Sequence, residues 1–519
     1  MDDSRYIQLL LTPDDKNVNP NKAIRRLGTL IDAANDRNDL LGHGKALRLA
    51  ESLEDQKLTS EQRLLLFYFV SNIWASIYSI NHQNQPTAWN WEQPEAEMQI
   101  IYLRRAIREE AFNKAHKARR CQIYTNLANI LNNVGRSVEA IETWSKATSL
   151  IATFGMAQGN LGKGLGFYAH TIYDRNNLHG SMILFKTALF TLRDAIKLKD
   201  VYPYALEDFR ESLQRLEAIN EQLRFEHNHS LIPDSFGDSK LESEYRKWVL
   251  WNRLFINFIN DVDLETAQAA EDKAVLPGLI RPISERSSHF EGLFNQMKQE
   301  FVSARFLYFE AISAENVHFS DKSVVLYDTL DYPSYSLAVE KIKITFRLTY
   351  SILDKMAFFL NEYLSLGIKQ RAVNFRSFWY EKQDRKRGLR GDFVNRDNWA
   401  LRGLFWLSKD LFEEQEAFKD ALEPDAMQLA EIRNHLEHKY LKVHEYGIPD
   451  GPFNQEDTLA YSIDRSDLAQ KTLHLMKLAR SALIYLILAT TIEERRKESK
   501  NNGSTGTIEI PLVDDEFKF

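Results

Sequence analysis

Apolar residues recur at intervals of three and four positions through most of this 519-residue chain. That spacing places them along one side of an α-helix, whereas the side chains of a half-buried strand alternate between two faces. Glycine and proline, which interrupt helices, are sparse, with 21 and 13 residues respectively. The sequence therefore predicts an all-α protein.

The overall charge limits the kind of nucleic-acid contact this chain can make. Its formal net charge is -7 at pH 7. This balance excludes a basic coat over the whole surface, so any contact with RNA must be local. The single cysteine, Cys121, excludes an intramolecular disulfide and a Cys-rich zinc site, and it fits a reducing compartment.

The N-terminus and the longest apolar stretch both argue against export and membrane insertion. The chain begins with the acidic pair Asp2-Asp3, where a signal peptide carries positive charge. Its longest apolar stretch, residues 482–489, is far shorter than the roughly 20 residues that a membrane span needs. We expect a cytoplasmic protein without membrane contact, with residues 482–489 in a buried core helix.

An internal repeat is most legible in residues 123–150. Small and large side chains there have the spacing of two antiparallel helices, with Gly135 at the turn between them. These side chains are Leu127, Ala128, Ala140, Trp144 and Ala147. The segment resembles a tetratricopeptide repeat (TPR), and a degenerate second copy follows with Asn176-Asn177 at its turn. A lone repeat cannot bury its faces, so we expect an array over about residues 20–225 with a concave binding surface.

Breaks in the helical pattern suggest how the chain is divided. The polar stretch 227–238, which contains Pro233 and Gly237, interrupts the periodicity. The sequence predicts a TPR-like helical repeat domain at residues 1–235, a helical connector at 236–325, a helical bundle at 326–496 and a flexible tail at 497–519.

The residues most suggestive of chemistry are Arg433-Asn434-His435-Leu436-Glu437-His438. They fall in a helix predicted to begin near residues 423–425 and to run to about Val443, before Gly447. Asn434 and His438 are four residues apart and share a face. Arg433 lies about 140° around an ideal helix from His438, from the 3.6-residue turn. This angle favours a composite site at a dimer interface.

A histidine and an arginine suffice to cleave RNA without a metal ion or cofactor. RNA supplies its own nucleophile, the 2′-hydroxyl, if a base removes the proton and a cation steadies the phosphate. Histidine is the side chain whose ordinary pKa lies nearest neutrality, which suits His438 as the base. Arg433 offers a planar, permanently charged fork for phosphate oxygens. Asn434 can orient either partner.

Arg-Asn-x-x-x-His late in a helical chain resembles the signature of HEPN ribonucleases, and residues 433–438 match it without a gap. The resemblance extends over about residues 330–495. It implies a bundle of roughly four or five helices, a symmetric homodimer and metal-independent endoribonuclease activity. It also implies a toxin or abortive-infection effector in prokaryotic defence against phage. A protein or phage-derived trigger, or an antitoxin, is then the expected partner of the TPR-like domain.

Two further groups of residues are candidates for the site. By the same resemblance, a polar residue on the first bundle helix often supports catalysis, and Asp354 and Lys355 are the candidates. A core salt bridge explains Asp354 nearly as well. A basic segment following Phe378-Trp379-Tyr380 is a candidate RNA-binding patch, or else a solvated loop whose aromatic residues serve the core. Its basic residues are Lys382, Arg385, Lys386, Arg387 and Arg390.

Three other interpretations compete with this reading. His435, Glu437 and His438 contain metal-ligand chemistry, but three ligands within one turn point in different directions. Gly162-Lys163-Gly164-Leu165-Gly166 has no preceding strand and lacks Walker spacing, so close helix packing is favoured over a nucleotide loop. Finally, the whole protein is a non-catalytic adaptor if both helical domains only bind protein or nucleotide.

Overall fold

A computed structural model describes residues 3–12, 19–83, 85–222, 235–282, 288–412, 426–445, 459–501, 503, 506 and 508–518. Helices dominate throughout these residues, which confirms the all-α prediction. Parts of three predicted features lie outside them: the polar stretch 227–238, of which 227–234 are not described, the helix start at 423–425, and Gly447.

The α-helices in the described residues are numbered in chain order. Their bounds are α1 Asp3–Leu11, α2 Pro20–Asn35, α3 Leu40–Glu54, α4 Ser60–His82, α5 Pro94–Arg108, α6 Lys117–Asn133, α7 Ser137–Leu150, α8 Gly155–Ile172, α9 Leu178–Ala195, α10 Pro203–Gln222, α11 Lys240–Trp251, α12 His289–Ile312, α13 Leu337–Tyr363, α14 Gly391–Val394, α15 Trp399–Phe412, α16 Ala426–His438 and α17 Arg465–Lys500. Short 3-10 turns connect several of them.

Successive helices of the N-terminal half pack as hairpins. Helices α6 and α7 pack together with Gly135 in the turn, and α8 and α9 pack together with Asn176 and Asn177 between them. The indole of Trp144 on α7 donates to the side chain of Asn129 on α6 at 2.9 Å. The hairpins lie where the sequence places them, while their assignment as TPR units stays a prediction.

The glycine run 162–166 lies inside α8. A Cβ at Gly164 would stand 2.5 Å from the ring of Trp144, and one at Gly162 would stand 2.7 Å from the side chain of Leu192. These glycines therefore allow α8 to approach the neighbouring helices closely, as the packing interpretation predicts.

Gly135 also joins the array to the C-terminal bundle. Its φ of +93° is left-handed, and a Cβ there would lie 2.1 Å from the carbonyl oxygen of Trp399 and 2.8 Å from the nitrogen of Gly403, both on α15. The turn between α6 and α7 thus packs directly against the backbone of α15.

Gly135→Ala is expected to destabilise the protein by at least about 2 kcal/mol, because the left-handed conformation alone costs an L-residue roughly 1–2 kcal/mol and the backbone overlap adds to it. Urea unfolding followed by circular dichroism measures the change. Gly180→Ala is the matched control, since its nearest neighbour would be a side-chain atom at 3.6 Å. Equal stability of the two variants would contradict this account of the turn.

One hydrophobic core extends from Leu64 on α4 to Ala489 on α17, so the array and the bundle share it. A smaller core lies among α1 to α4. Helix α13 starts at Leu337 because the hydroxyl of Ser336 accepts from the nitrogen of Val339 at 3.3 Å and caps the helix. Helix α17 continues to Lys500, past the predicted start of the tail at residue 497.

Charged groups cross the boundary between array and bundle. The carboxylate of Asp410, near the end of α15, has no exposed surface. Arg104 on α5 donates to its two oxygens at 3.1 and 3.0 Å, and Arg136 also donates to it. Next to it, buried Lys409 pairs with Glu97 of α5. These ion pairs, together with the Gly135 turn, hold α15 against the array.

In the described residues, two helices have the length and hydropathy to cross a membrane by composition alone, namely α4 and α17. The most apolar window of α17 is 89% buried inside the protein, and residues 482–489 are all within its core. Helix α17 is therefore the predicted core helix. The corresponding window of α4 is 33% buried.

The motif helix is shorter than predicted. It ends at His438, and residues 440–444 form strand β1 (Tyr440–His444) instead of continuing the helix to Val443. β1 pairs in parallel with β2 (Ala460–Asp464), with Tyr440 opposite Ala460 and His444 opposite Asp464. After His438 the backbone forms its hydrogen bonds with β2 instead of within a helix. His438 is therefore the last residue of α16.

Candidate active site

The motif helix α16 is buried on one side and open on the other. Leu429, Ile432 and Leu436 face the core. The exposed side of the motif carries Arg433, Asn434, Glu437 and His438. The residues predicted to act on RNA are thus on the accessible half of the helix.

Arg433 is held by two side chains of α13. The carbon of its guanidinium lies 4.4 Å from the ring centroid of Tyr350, and Nη2 lies 3.7 Å from Oδ2 of Asp354. That separation is too long for a hydrogen bond, and both side chains are partly exposed, so the ion pair is weak. A phosphate can therefore compete with Asp354 for the guanidinium, while the ring keeps the guanidinium plane in place.

Asp354 connects Arg433 to the segment that follows α13. Its Oδ1 accepts from the backbone nitrogen of Phe375 at 3.0 Å. The structure therefore brings Arg433 and Asp354 together, as a site residue on the first bundle helix requires. Lys355, the other candidate, instead pairs with Glu300 of α12.

Arg347 holds the C-terminal end of the motif helix. Its Nη2 donates to the carbonyl oxygen of Leu436, and its Nε lies 3.5 Å from the carboxylate of Glu437. Carbonyls in the last turn of a helix have no partner within that helix, so a guanidinium is a favourable neighbour there. Arg347 therefore fixes the turn that carries His438.

Asn434 and His438 are placed differently from Arg433. In the described part of the chain, neither side chain makes a hydrogen bond or an ion pair, and both are exposed. The structure does not bring His438 into contact with Arg433, whose partners are on α13. The chain therefore exposes a cation and an imidazole without bringing them around a shared point.

The phenol of Tyr350 is nearly buried beneath Arg433. Burial raises the pKa of Tyr350 to about 12, against an opposing effect of the Arg433 charge, with Asp354 raising it further. Tyr350 is accordingly a neutral phenol at any pH near 7. It serves as a ring under the guanidinium and not as a base.

The other histidines near the motif have structural surroundings. His435 is buried, its Nδ1 lies 2.9 Å from the carbonyl oxygen of Glu431, and its ring packs near Tyr461 of β2. His444 is buried in β1, with Nε2 3.4 Å from the hydroxyl of Ser462. His435 is buried whereas His438 is exposed, and the described residues contain no group of three metal-ligating side chains.

The predicted RNA-binding segment divides into an exposed and an anchored part. Lys382, Arg385, Lys386 and Arg387 are exposed. Arg390 instead donates to the carbonyl oxygen of Leu366 at 2.9 Å and pairs with Asp392.

The rings before this segment are core residues. Phe378 and Trp379 have no exposed surface and pack against Phe393. They are not available for stacking on bases, so the core interpretation of these aromatic residues is the correct one. The four exposed basic side chains remain as a local positive surface. They follow Phe375 in the chain, and the backbone nitrogen of Phe375 donates to Asp354 of the site.

Sequence reasoning missed Tyr350 and Arg347. With Asp354 they stand at positions i, i+3 and i+7 of α13, which places all three on one face of the helix. A polar face on an otherwise apolar helix was the available signal. Which of its residues would meet Arg433 depended on the packing of α16 against α13.

The chain was also compared with known protein families. Residues 283–493 match the family model described as LA2681-like HEPN. This C-terminal segment is HEPN-like. The match starts at residue 283, whereas the predicted domain begins at 326, so α12 and the connection to α13 fall within the HEPN-like segment. HEPN domains are generally RNase domains, and the match supports a nuclease role in these coarse terms.

No curated protein and no solved structure matches the chain at a significant level. The family match does not reach the N-terminal half, where the TPR-like assignment therefore rests on sequence and packing alone.

Tyr350→Leu is expected to lower kcat/KM for RNA cleavage about tenfold, the effect of losing roughly 1.4 kcal/mol of cation–ring contact. Tyr350→Phe keeps the ring, so its kcat/KM is expected to stay within about threefold of wild type, which corresponds to a change of less than about 1 kcal/mol in the activation free energy. Single-turnover kinetics on a short RNA give both values. Phe346→Leu is the matched control, because Phe346 is buried on α13 one turn away. A similar loss in that control would mean that Tyr350 acts through folding alone.

Proposed function

We propose that the HEPN-like domain is a metal-independent endoribonuclease. The observation that carries the proposal is the placement of Arg433 on Tyr350 beside Asp354, with Asn434 and His438 exposed on the same helix. The family match supports it at the coarser level of a nuclease.

In the proposed reaction, His438 accepts the proton of the 2′-hydroxyl while that oxygen attacks the adjacent phosphorus. A bond forms between O2′ and phosphorus, and the bond from phosphorus to O5′ breaks. Arg433 leaves Asp354 and stabilises the charge on the phosphate oxygens. The O5′ leaving group takes a proton from water, His438 later releases its own proton to solvent, and the products are a 2′,3′-cyclic phosphate and a 5′-hydroxyl.

The proposed active form is a homodimer through the HEPN-like domain. Within one subunit Arg433 turns toward α13 and His438 lies open at the helix end, so a second subunit can complete the site. Lys382, Arg385, Lys386 and Arg387 guide RNA to this site as a local positive surface of an otherwise acidic protein.

We further propose that the protein acts in the cytoplasm as a toxin or abortive-infection effector, controlled through its TPR-like array. The support is the contact of the array with α15, which leads along the chain toward the motif helix. A trigger protein or an antitoxin bound to the array can act on the site by that route.

Incubation of the purified protein with labelled RNA in EDTA tests the nuclease activity. We expect cleavage, with 2′,3′-cyclic phosphate ends identified by their resistance to phosphatase before mild acid opens the ring and their removal by phosphatase afterwards. Intact RNA after incubation with a confirmed dimer would favour the non-catalytic adaptor. Cleavage that requires an added divalent ion would exclude the proposed chemistry.

A further inference from the structure

The connection between α12 and α13 is unusually apolar for an exposed segment. We call residues 317–335 the arm. Val325 and Tyr327 at its centre are 96% and 95% exposed. Its other exposed apolar residues are Val317, Phe319, Val324, Leu326, Leu330, Tyr332 and Tyr335. Contiguous apolar surface of this kind marks a contact with another molecule.

The two ends of the arm are nevertheless firmly attached. Asp321 accepts from the backbone nitrogen of Leu337 at 2.9 Å, and Asp331 pairs with Lys442 at 2.7 Å. The backbone nitrogen of Ser334 donates to the carbonyl oxygen of Val443 at 2.7 Å. The arm is therefore a fixed projection from the protein surface.

The attachment places the arm beside the candidate active site. Its partners Lys442 and Val443 belong to β1, which begins two residues after His438. The hydroxyls of Tyr335 and Tyr440 are also 2.6 Å apart. The C-terminal end of the arm therefore lies close to the exposed end of the motif helix.

The centre of the arm has the backbone of an unpaired strand. In the described part of the chain, residues 323–329 make no backbone-to-backbone hydrogen bond. Val324-Val325-Leu326-Tyr327 consists of residue types that favour strands. An apolar strand with free backbone groups is a template for pairing with another strand.

The charge of the arm and the incomplete site indicate which molecule binds the arm. The arm contains Asp321, Asp328 and Asp331 against one basic residue, Lys322, so it repels phosphate and does not suit RNA. A second copy of this chain offers the same strand, which can pair with itself in antiparallel orientation about a two-fold axis. The same copy also supplies the groups that Arg433 and His438 lack within one subunit.

We propose that the arms of two copies pair, residues 324–327 against residues 324–327, and that this contact holds the dimer. The inference deepens the proposed function, because the incomplete site is what favours a second copy over another protein. It assigns the dimer contact to a segment that carries no catalytic residue.

Cysteine crosslinking tests the contact directly. The only native cysteine, Cys121, is buried. We expect that, among Val324→Cys, Val325→Cys, Leu326→Cys and Tyr327→Cys, at least one gives a covalent dimer under mild oxidation, because residues at the axis bring their Cα atoms within reach of a disulfide. Leu512→Cys, at a residue 84% exposed in the tail, is the control and is expected to stay monomeric on a denaturing gel.

Val325→Asp with Tyr327→Asp gives the complementary test. Both side chains are almost fully exposed, so folding is expected to be unaffected, and the dimer dissociation constant is expected to rise at least 100-fold by light scattering across a concentration series. A wild-type monomer, or a dimer that survives the double substitution, would overturn the proposal. Loss of the dimer in a protein that never cleaves RNA would support the arm and reject only the nuclease.

Discussion

His438→Ala is expected to reduce metal-independent RNA cleavage by about 10²- to 10⁴-fold, the usual contribution of a general base. The imidazole is exposed at the end of α16 and has no partner among the described residues, so its removal leaves no buried group unsatisfied. Stability is therefore expected to stay within about 0.5 kcal/mol of wild type. Initial rates in EDTA and a thermal unfolding curve measure the two effects.

Arg433→Ala is expected to cause a similar loss, and Arg433→Lys to recover only part of it, because an ammonium lacks the planar fork that binds phosphate and stacks on Tyr350. The control for His438→Ala is His179→Ala, at an exposed histidine of the array. The control for Arg433→Ala is Arg215→Ala, at an exposed arginine. Full activity in either site variant would remove that residue from the mechanism.

Mixing the two inactive variants examines whether the site is shared. If Arg433 of one copy acts with His438 of the other, a heterodimer of His438→Ala and Arg433→Ala contains one intact site and one with neither group. Part of the activity then returns on mixing. No recovery, despite proven exchange of subunits, would place both groups of a working site in the same subunit.

Asp410→Ala is expected to destabilise the protein by about 3 kcal/mol or more, the usual effect of removing one partner of a buried ion pair. Among the described residues, the substitution leaves the guanidinium of Arg136, which is 1% exposed, with Glu139 as its charged partner, and it removes the two hydrogen bonds between Arg104 and Asp410. Urea unfolding followed by tryptophan fluorescence and by circular dichroism measures the loss.

The exposed pair Arg193–Glu217 provides the comparison, and Glu217→Ala is expected to cost less than about 1 kcal/mol. The two probes should give one transition in wild type, because the array and the bundle share one core. A small effect of Asp410→Ala would show that solvent enters this boundary and screens the remaining charges.

The elements that sequence predicted well are those decided by local chemistry. The turn at Gly135 follows from a residue that tolerates positive φ. Residues 482–489 are a buried helix because a short apolar run bounded by charges fits the core better than a membrane.

The failures arose where tertiary contacts outweighed local preference. The motif helix was expected to reach Val443. It ends at His438 because β1 pairs with β2, which lies 20 residues later in the chain. The sequence left open whether Trp379 stacks on RNA or serves the core, and only its packing against Phe393 decides for the core. Tyr350 and Arg347 were overlooked because their importance comes from contacts with α16, and no spacing within α13 identifies that neighbour.

The ion pairs around Asp410 limit which segments of this chain can be exchanged for those of another protein. A bundle grafted onto another repeat array would bury Asp410 and Lys409 without Arg104, Arg136 and Glu97. A chimaera that keeps α5 through α7 with α15 should therefore fold, and one that divides the chain between them should not. The unit of this chain that can be exchanged is therefore larger than the HEPN-like segment alone.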